Sequence, residues 1–331
     1  WKRVNWRLPL PGFPAVEVFA PARADLAGGT LDLWPLWCFH PQSLTLNVSL
    51  SAGVRLVLEP CADAWVVHEV GGVQQELSPA DAEHDLTAAV VGHFLPQGGV
   101  RVRVLQQLPV GSGLGGSSVY AVALARACLG ACGQKLPRRQ LVATLKDLEA
   151  RVLQAPTGVQ DYYPALLPGV LAIHLRPGGE VIERLPVGRR WLAAHLLVVF
   201  TGITHHSGLV NWQVYRARVD GDRRVAALLS TIAEAARECR EALVQREARA
   251  VGAAIAKEWE ARRQLAPEVA PPELSAVLAA GLSAGAWAGK ACGAGGGGSV
   301  LFWTPAEKLA AVAEAALAHC PEGFVVPLSP Q

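Results

Sequence analysis

A chain of 331 residues, 51% hydrophobic and 18% charged, is long enough for two modest domains and too apolar for disorder to dominate. Its 30 basic and 28 acidic residues leave a formal charge of +2, which gives no electrostatic footprint for nucleic acid or an anionic membrane. A small-molecule partner is the expectation. The seven cysteines are odd in number and contain no CxxC pair, the pattern of free thiols in a reducing compartment rather than of a disulfide frame or zinc site. Residues 1–7 lack the apolar core of a signal peptide, and no run reaches the ~18–20 apolar residues of a membrane span, so a cytoplasmic protein is expected.

Taken in order, residues 16–19 read as a strand that runs into a turn-like stretch, residues 20–32, carrying Arg23, Asp25 and Asp32. Residues 44–50, 54–58 and 64–70 alternate as strands, and a helix is expected from Ser78 to about Leu95, with Ser78 and Asp81 as candidate caps. A strand at 100–105 and a helix at 119–130 flank a glycine-rich loop, and a second helix spans 136–154. The segment 155–163 breaks it and leaves Asp161 on a short turn, placed either to cap a helix or to bind a hydroxyl. A hairpin at 169–174 and 181–185 puts a domain boundary near 186–190, giving domains of 1–187 and 188–331. The second half offers a buried strand over 192–201, helices at 207–218, 222–247, 248–264 and 272–285, a strand at 299–303, a helix at 305–319 and a last strand at 323–327. That order suggests an α+β layer with helices on one face of an antiparallel sheet.

Chemistry concentrates where strand, loop and helix meet at residues 108–120. Gly111, Gly113, Gly115 and Gly116 allow successive N–H groups to face one anion at the positive end of the following helix. Ser117 and Ser118 add hydroxyls in the first helical turn, where one suits a cap and another a phosphate or Mg²⁺. A second glycine loop, residues 293–298, spends so much conformational entropy that close approach to a ligand or to the first loop is the better reading. Both loops match G-x-G-x-x-G, yet the acidic residue a dinucleotide site wants about 20 positions on is absent, and no Lys-Ser/Thr pair follows for a Walker loop.

Three ordered segments carry a resemblance: 20–32 (APARADLAGGTLD), 109–118 (PVGSGLGGSS) and 290–299 (KACGAGGGGS). In that order they resemble the motifs of the GHMP kinase superfamily. Within it, residues 157–163 (TGVQDYY), 201–204 (TGIT) and the long GAGGGG loop look most like the branch of D-glycero-D-manno-heptose 7-phosphate kinase and the fucokinase domain.

The resemblance implies a two-domain α+β fold, with a ribosomal protein S5 domain 2-like N-terminal domain and a ferredoxin-like C-terminal domain. It implies ATP as phosphoryl donor, Mg²⁺ as cofactor and a sugar or sugar-phosphate hydroxyl as acceptor, in a monomer or homodimer. By motif position, Asp161 matches the catalytic aspartate and Arg23 the basic residue beside it. Residues Gly111, Ser112, Gly113, Leu114, Gly115, Gly116, Ser117 and Ser118 match the nucleotide loop. Ser117 and Glu149 match the Mg²⁺ ligands, and Asp32, Gly29, Gly295 and Gly296 join Asp161 as acceptor-binding positions. Gly116 replaces the first serine usual in the loop, and Gly29 stands where galactokinases carry glutamate. A kinase of a mevalonate-like acid or amino acid and a non-catalytic ATP- and sugar-binding regulator are the alternatives. His205 and His206 are either exposed loop residues or contacts for an acidic group of the substrate.

Overall fold

The computed structural model of the chain describes residues 12–203 and 207–328, with the backbone alone at 207–210. His205 and His206 lie outside the described residues. Two compact units form. The first is built from residues up to Pro21, Gly53–Leu108 and Gly116–Thr157; the second from Ala22–Ala52, Pro109–Gly115 and from Gly158 onward. These boundaries differ from a single cut at residue 187, because two long strands, β1 (Val16–Ala27) and β2 (Leu44–Pro60), each run through both units. Sequence reading had ended the first strand at residue 19 and split the second. Ser51, Ala52 and Gly53 join the strands expected at 44–50 and 54–58 into one.

In the first unit, the C-terminal part of β2 pairs antiparallel with β5 (Val100–Gln106). β5 lies parallel to β3 (Val66–Val70), which in turn pairs antiparallel with β4 (Val73–Leu77). The parallel step needs a crossover, supplied by α1 (Leu86–Phe94). The helix expected from Ser78 is divided. Asp81 Oδ2 accepts from both the Ser78 N–H, at 2.7 Å, and the Ser78 hydroxyl, at 2.8 Å, closing a short 3₁₀ turn. Asp85 then caps α1 by accepting from the Ala88 N–H at 2.8 Å. Helices α2 (Gly116–Ala131) and α3 (Arg138–Leu153) pack with α1.

In the second unit, the N-terminal part of β2 pairs antiparallel with β6 (Val170–His174), which follows the short helix α4 (Tyr162–Leu166) and pairs with β7 (Val181–Arg184). Helix α5 (Arg189–His195) takes the first half of the apolar run read as a strand, and β8 (Leu196–Phe200) takes the rest. Helices α6 (Ser207–Val219), α7 (Arg223–Gln245), α8 (Ala248–Arg262) and α9 (Pro272–Ser283) lead into β9 (Ala288–Ala291) and β10 (Ser299–Trp303). Helix α10 (Leu309–Leu317) and β11 (Phe324–Val325) finish an antiparallel sheet of order β11-β8-β10-β9. β10 is buried at every position rather than at alternate ones. Val300 and Phe302 pack with Leu274, Leu278 and Val312 of α9 and α10. Trp303, on the opposite face, donates its indole N–H to the Ala248 carbonyl at the start of α8, at 2.7 Å. Helices therefore cover both faces of this sheet, a correction to the one-faced layer expected from element order.

Candidate active site

The site residues discussed first all belong to the second unit. Arg23 and Asp25 leave β1 two residues apart and so project to the same side of the strand. Arg23 is 2% exposed, and its guanidinium is fully engaged. Nε and Nη2 reach Asp161 Oδ1 at 2.7 and 2.6 Å, while Nη1 donates to the Gly113 carbonyl at 2.7 Å and lies 3.6 Å from Asp25 Oδ1. One side chain thus ties the carboxylate at 161 to the first glycine loop. Burial alone would depress the Arg23 pKa, but the charges of Asp161 and then Asp25 outweigh it and raise it, so the guanidinium is a fixed cation.

Asp161 occupies the N-cap position of α4 but makes no capping hydrogen bond; its side chain, about a quarter exposed, is spent on Arg23 instead. The turn that presents it is held by Asp32, whose Oδ2 accepts the N–H groups of Val159 at 2.7 Å and Gln160 at 3.0 Å. Burial pushes the Asp32 pKa up to about 6; the two N–H donors oppose the shift and the Asp161 charge adds to it. Gly115, with φ of +79°, passes so close that a β-carbon there would sit 2.9 Å from Asp161 Cγ.

The two glycine loops meet. Gly113 has φ of +72°, and a β-carbon on it would lie 2.8 Å from the Cys292 carbonyl oxygen; one on Gly293 would lie 2.8 Å from the Gly113 carbonyl oxygen. Ser112 and Leu114, on the same loop, are buried. Asp25 fastens the second loop by accepting the Gly293 N–H at 2.6 Å. Gly296 donates to the Val269 carbonyl at 2.9 Å, and a β-carbon on Gly295 would lie 2.7 Å from the same oxygen. Gly29 gives its carbonyl to Arg262 Nη2 at 2.8 Å.

Sequence reading missed the buried partners behind this arrangement. Lys290 Nζ, fully buried, donates to Asp25 Oδ2 at 2.8 Å and to the Asp25 carbonyl at 3.1 Å, and lies 3.4 Å from Glu258 Oε2. Arg262 meets Glu258 Oε1 through Nε at 2.8 Å and Nη2 at 2.6 Å, and donates from Nη1 to the Thr30 hydroxyl at 3.0 Å. Glu258 and Arg262 are four apart on α8, the spacing of an ordinary surface pair, so nothing in their pattern signals burial. Lys290 stood inside the third motif and was the available clue. Gln160 was also passed over: its side-chain oxygen is buried without a hydrogen-bond partner, one residue before Asp161.

In the first unit, α2 begins at Gly116, directly after the glycine loop in the chain. The hydroxyl that reaches Glu149 is that of Ser118, at 2.7 Å from Oε2, whereas Ser117 is exposed on the first helical turn. Ser118 and Glu149 offer oxygen ligands only, a donor set that suits Mg²⁺ rather than a softer metal. Among the described residues no group of three or more His, Cys, Asp or Glu could hold a metal ion. No helix among them is long and apolar enough to cross a membrane.

The family described as GHMP kinases N terminal domain matches residues 84–169, and that described as GHMP kinases C terminal matches residues 239–322. The chain belongs to the GHMP kinases. It is 23% identical over 309 residues to a D-glycero-alpha-D-manno-heptose 7-phosphate kinase of Campylobacter jejuni, covering 88% of this chain and 90% of that one. It is 24% identical over 322 residues to an L-fucokinase/L-fucose-1-P guanylyltransferase of Bacteroides fragilis, spanning 84% of this chain and 33% of that longer protein. The galactokinase of Lactococcus lactis, solved with galactose, shares the fold with a TM-score of 0.77 at 15% identity, over 95% of this chain and 93% of its own.

Proposed function

We propose that the chain transfers the γ-phosphoryl group of ATP to a hydroxyl of a sugar or sugar phosphate, of the heptose 7-phosphate or fucose kind. The observation that carries this reading is the ion pair of Arg23 with Asp161: a partly exposed carboxylate, presented on a turn, with a buried guanidinium bonded to it and to the glycine loop at once. The sugar class rests on the heptose phosphate kinase and fucokinase among its relatives.

Phosphoryl transfer asks a protein mainly for alignment and for neutralising charge on the moving group. The Gly111–Gly115 backbone supplies N–H groups for the phosphates. Asp161 accepts the acceptor hydroxyl's proton as its oxygen attacks phosphorus. Arg23 holds that carboxylate in place and offsets negative charge developing beside it. Ser118 and Glu149 would hold Mg²⁺, with Ser117 next to Ser118 in the chain, and the ion would supply positive charge for phosphate oxygens. Asp32 takes a different part from the sugar contact expected of it. With Oδ2 committed to two backbone N–H groups, it fixes the turn that aims Asp161.

The test is ADP release, coupled to an optical readout, over hexoses, fucose, heptose 7-phosphate, uronic acids, mevalonate and homoserine. Turnover with a sugar is expected; turnover only with the acids reassigns the acceptor, and ATP binding without turnover makes the chain a regulator. With the active sugar, Asp161→Asn lowers kcat by about 10²–10⁴-fold and leaves the KM for ATP within a few-fold. Unchanged kcat removes Asp161 from the mechanism.

A further inference from the structure

Behind Asp161 the charges of the second unit alternate without a break: Asp161, Arg23, Asp25, Lys290, Glu258, Arg262. Every member after Asp161 is buried, and only Asp161 has appreciable access to solvent. Arg23 Nη1 is the contested atom of this row. It donates to the Gly113 carbonyl at 2.7 Å yet stands 3.6 Å from Asp25 Oδ1, so Asp25 attracts Arg23 without capturing it. What competes for Asp25 is Lys290, which is closer, at 2.8 Å, and fully enclosed. Lys290 is held on its other side by Glu258, whose charge is shared with Arg262. Asp25 also faces the Cys292 thiol, which burial pushes up to about 12 and keeps neutral, leaving Lys290, Arg23 and Arg262 as the cations around Asp25.

We propose that Lys290 is a positioning residue for phosphoryl transfer: its ammonium occupies Asp25, so that Arg23 remains directed at Asp161 and the glycine loop. This rests on the roles given above to Arg23 and Asp161. Without the Lys290 charge, Asp25 turns to its next cation, and moving Nη1 across the 3.6 Å gap pulls the guanidinium off the Gly113 carbonyl and away from Asp161. A role confined to stability would lose folded protein and leave each folded molecule as active as before.

The experiment is a charge cycle of Lys290→Met, Asp25→Asn and the double variant in the full chain. It is read as kcat and KM per folded molecule and as the ¹⁵N resonance of Arg23 Nε. Lys290→Met is expected to lower kcat by about 100-fold, the scale of a misplaced catalytic group, with both KM values held within about threefold, and to shift the Arg23 resonance. The double variant removes one charge of each sign and keeps an acceptor for the Gly293 N–H. It is expected to return the resonance to its wild-type position and to recover at least about tenfold in kcat. An unmoved resonance with unchanged kcat in folded Lys290→Met overturns the proposal. If Lys290→Met does not fold, the double variant decides: a wild-type Arg23 resonance supports the proposal and a displaced one overturns it. The resonance needs no substrate, so a chain inert toward every sugar would sink the proposed function while this inference was still decided.

Discussion

Asp32 shows how burial and hydrogen bonding compete at one carboxyl. Two backbone N–H groups favour its charged form, yet enclosure and the neighbouring Asp161 charge win and leave its pKa at about 6. Since that value lies above the 3.8 of an exposed aspartate, the folded state holds the proton longer than the unfolded chain does. Its contribution to stability is complete below about pH 4 and is lost as pH rises to about 6, by about 3 kcal/mol for a shift of this size. Asp32→Asn keeps an acceptor for the Val159 and Gln160 N–H groups and removes this dependence. Urea unfolding between pH 4 and 7 should therefore show a downward slope in wild type that is shallower in the variant; parallel curves would remove Asp32 as its source. At this scale the sequence was readable where a motif named the residue: Arg23, Asp25, Asp32 and Asp161 were singled out, and the structure brings them together. Glu258 and Arg262 were not, because an i, i+4 ion pair looks the same in a linear pattern whether it faces water or is buried.

Among the elements, long amphipathic helices such as α7 and α8 were legible from their periodicity, while strands of small residues were not. β9 reads Ala-Gly-Lys-Ala, with no β-branched or aromatic side chain, and becomes a strand through pairing with β10. The apolar run at 192–201 divided into α5 and β8 because a short apolar run fits either state until its neighbours decide. The glycine loops permit a sharper expectation. Gly113→Ala and Gly293→Ala each place a methyl against the other loop's backbone in a left-handed conformation, and each should cost at least about 1–2 kcal/mol. Combined, they should depart from additivity by about 0.5–3 kcal/mol, since both load the same contact. Thermal unfolding of the two singles and the double measures this, and strict additivity would show the loops to be independent. Phe302→Ala, emptying a site between β10, α9 and the glycine of α9 at 281, should cost about 3–5 kcal/mol.

For the whole molecule, the class of fold was legible in three separated motifs, but its division into units was not. A boundary near 187 follows the hairpin and the connection after it, whereas the chain passes between the units at β1, at β2, on either side of the glycine loop and between Thr157 and Gly158. Expressed alone, residues 1–187 would keep Arg23 and Asp25 without Lys290, Glu258 and Arg262, and β2, α4 and β6 without helices α5 to α10 of the second unit. That fragment should bind a hydrophobic dye and unfold without a sharp transition, as followed by fluorescence and circular dichroism; a cooperative, dye-silent fragment would show that the long strands tolerate the cut. The interlocked loops carry a consequence for descent as well. Gly113 and Gly293 each occupy the room a side chain on the other would need, so a change in one is judged against the other although 179 positions separate 113 from 293. Drift at either loop is confined to paired steps, and grafting one motif from a distant relative should succeed only when the second travels with it.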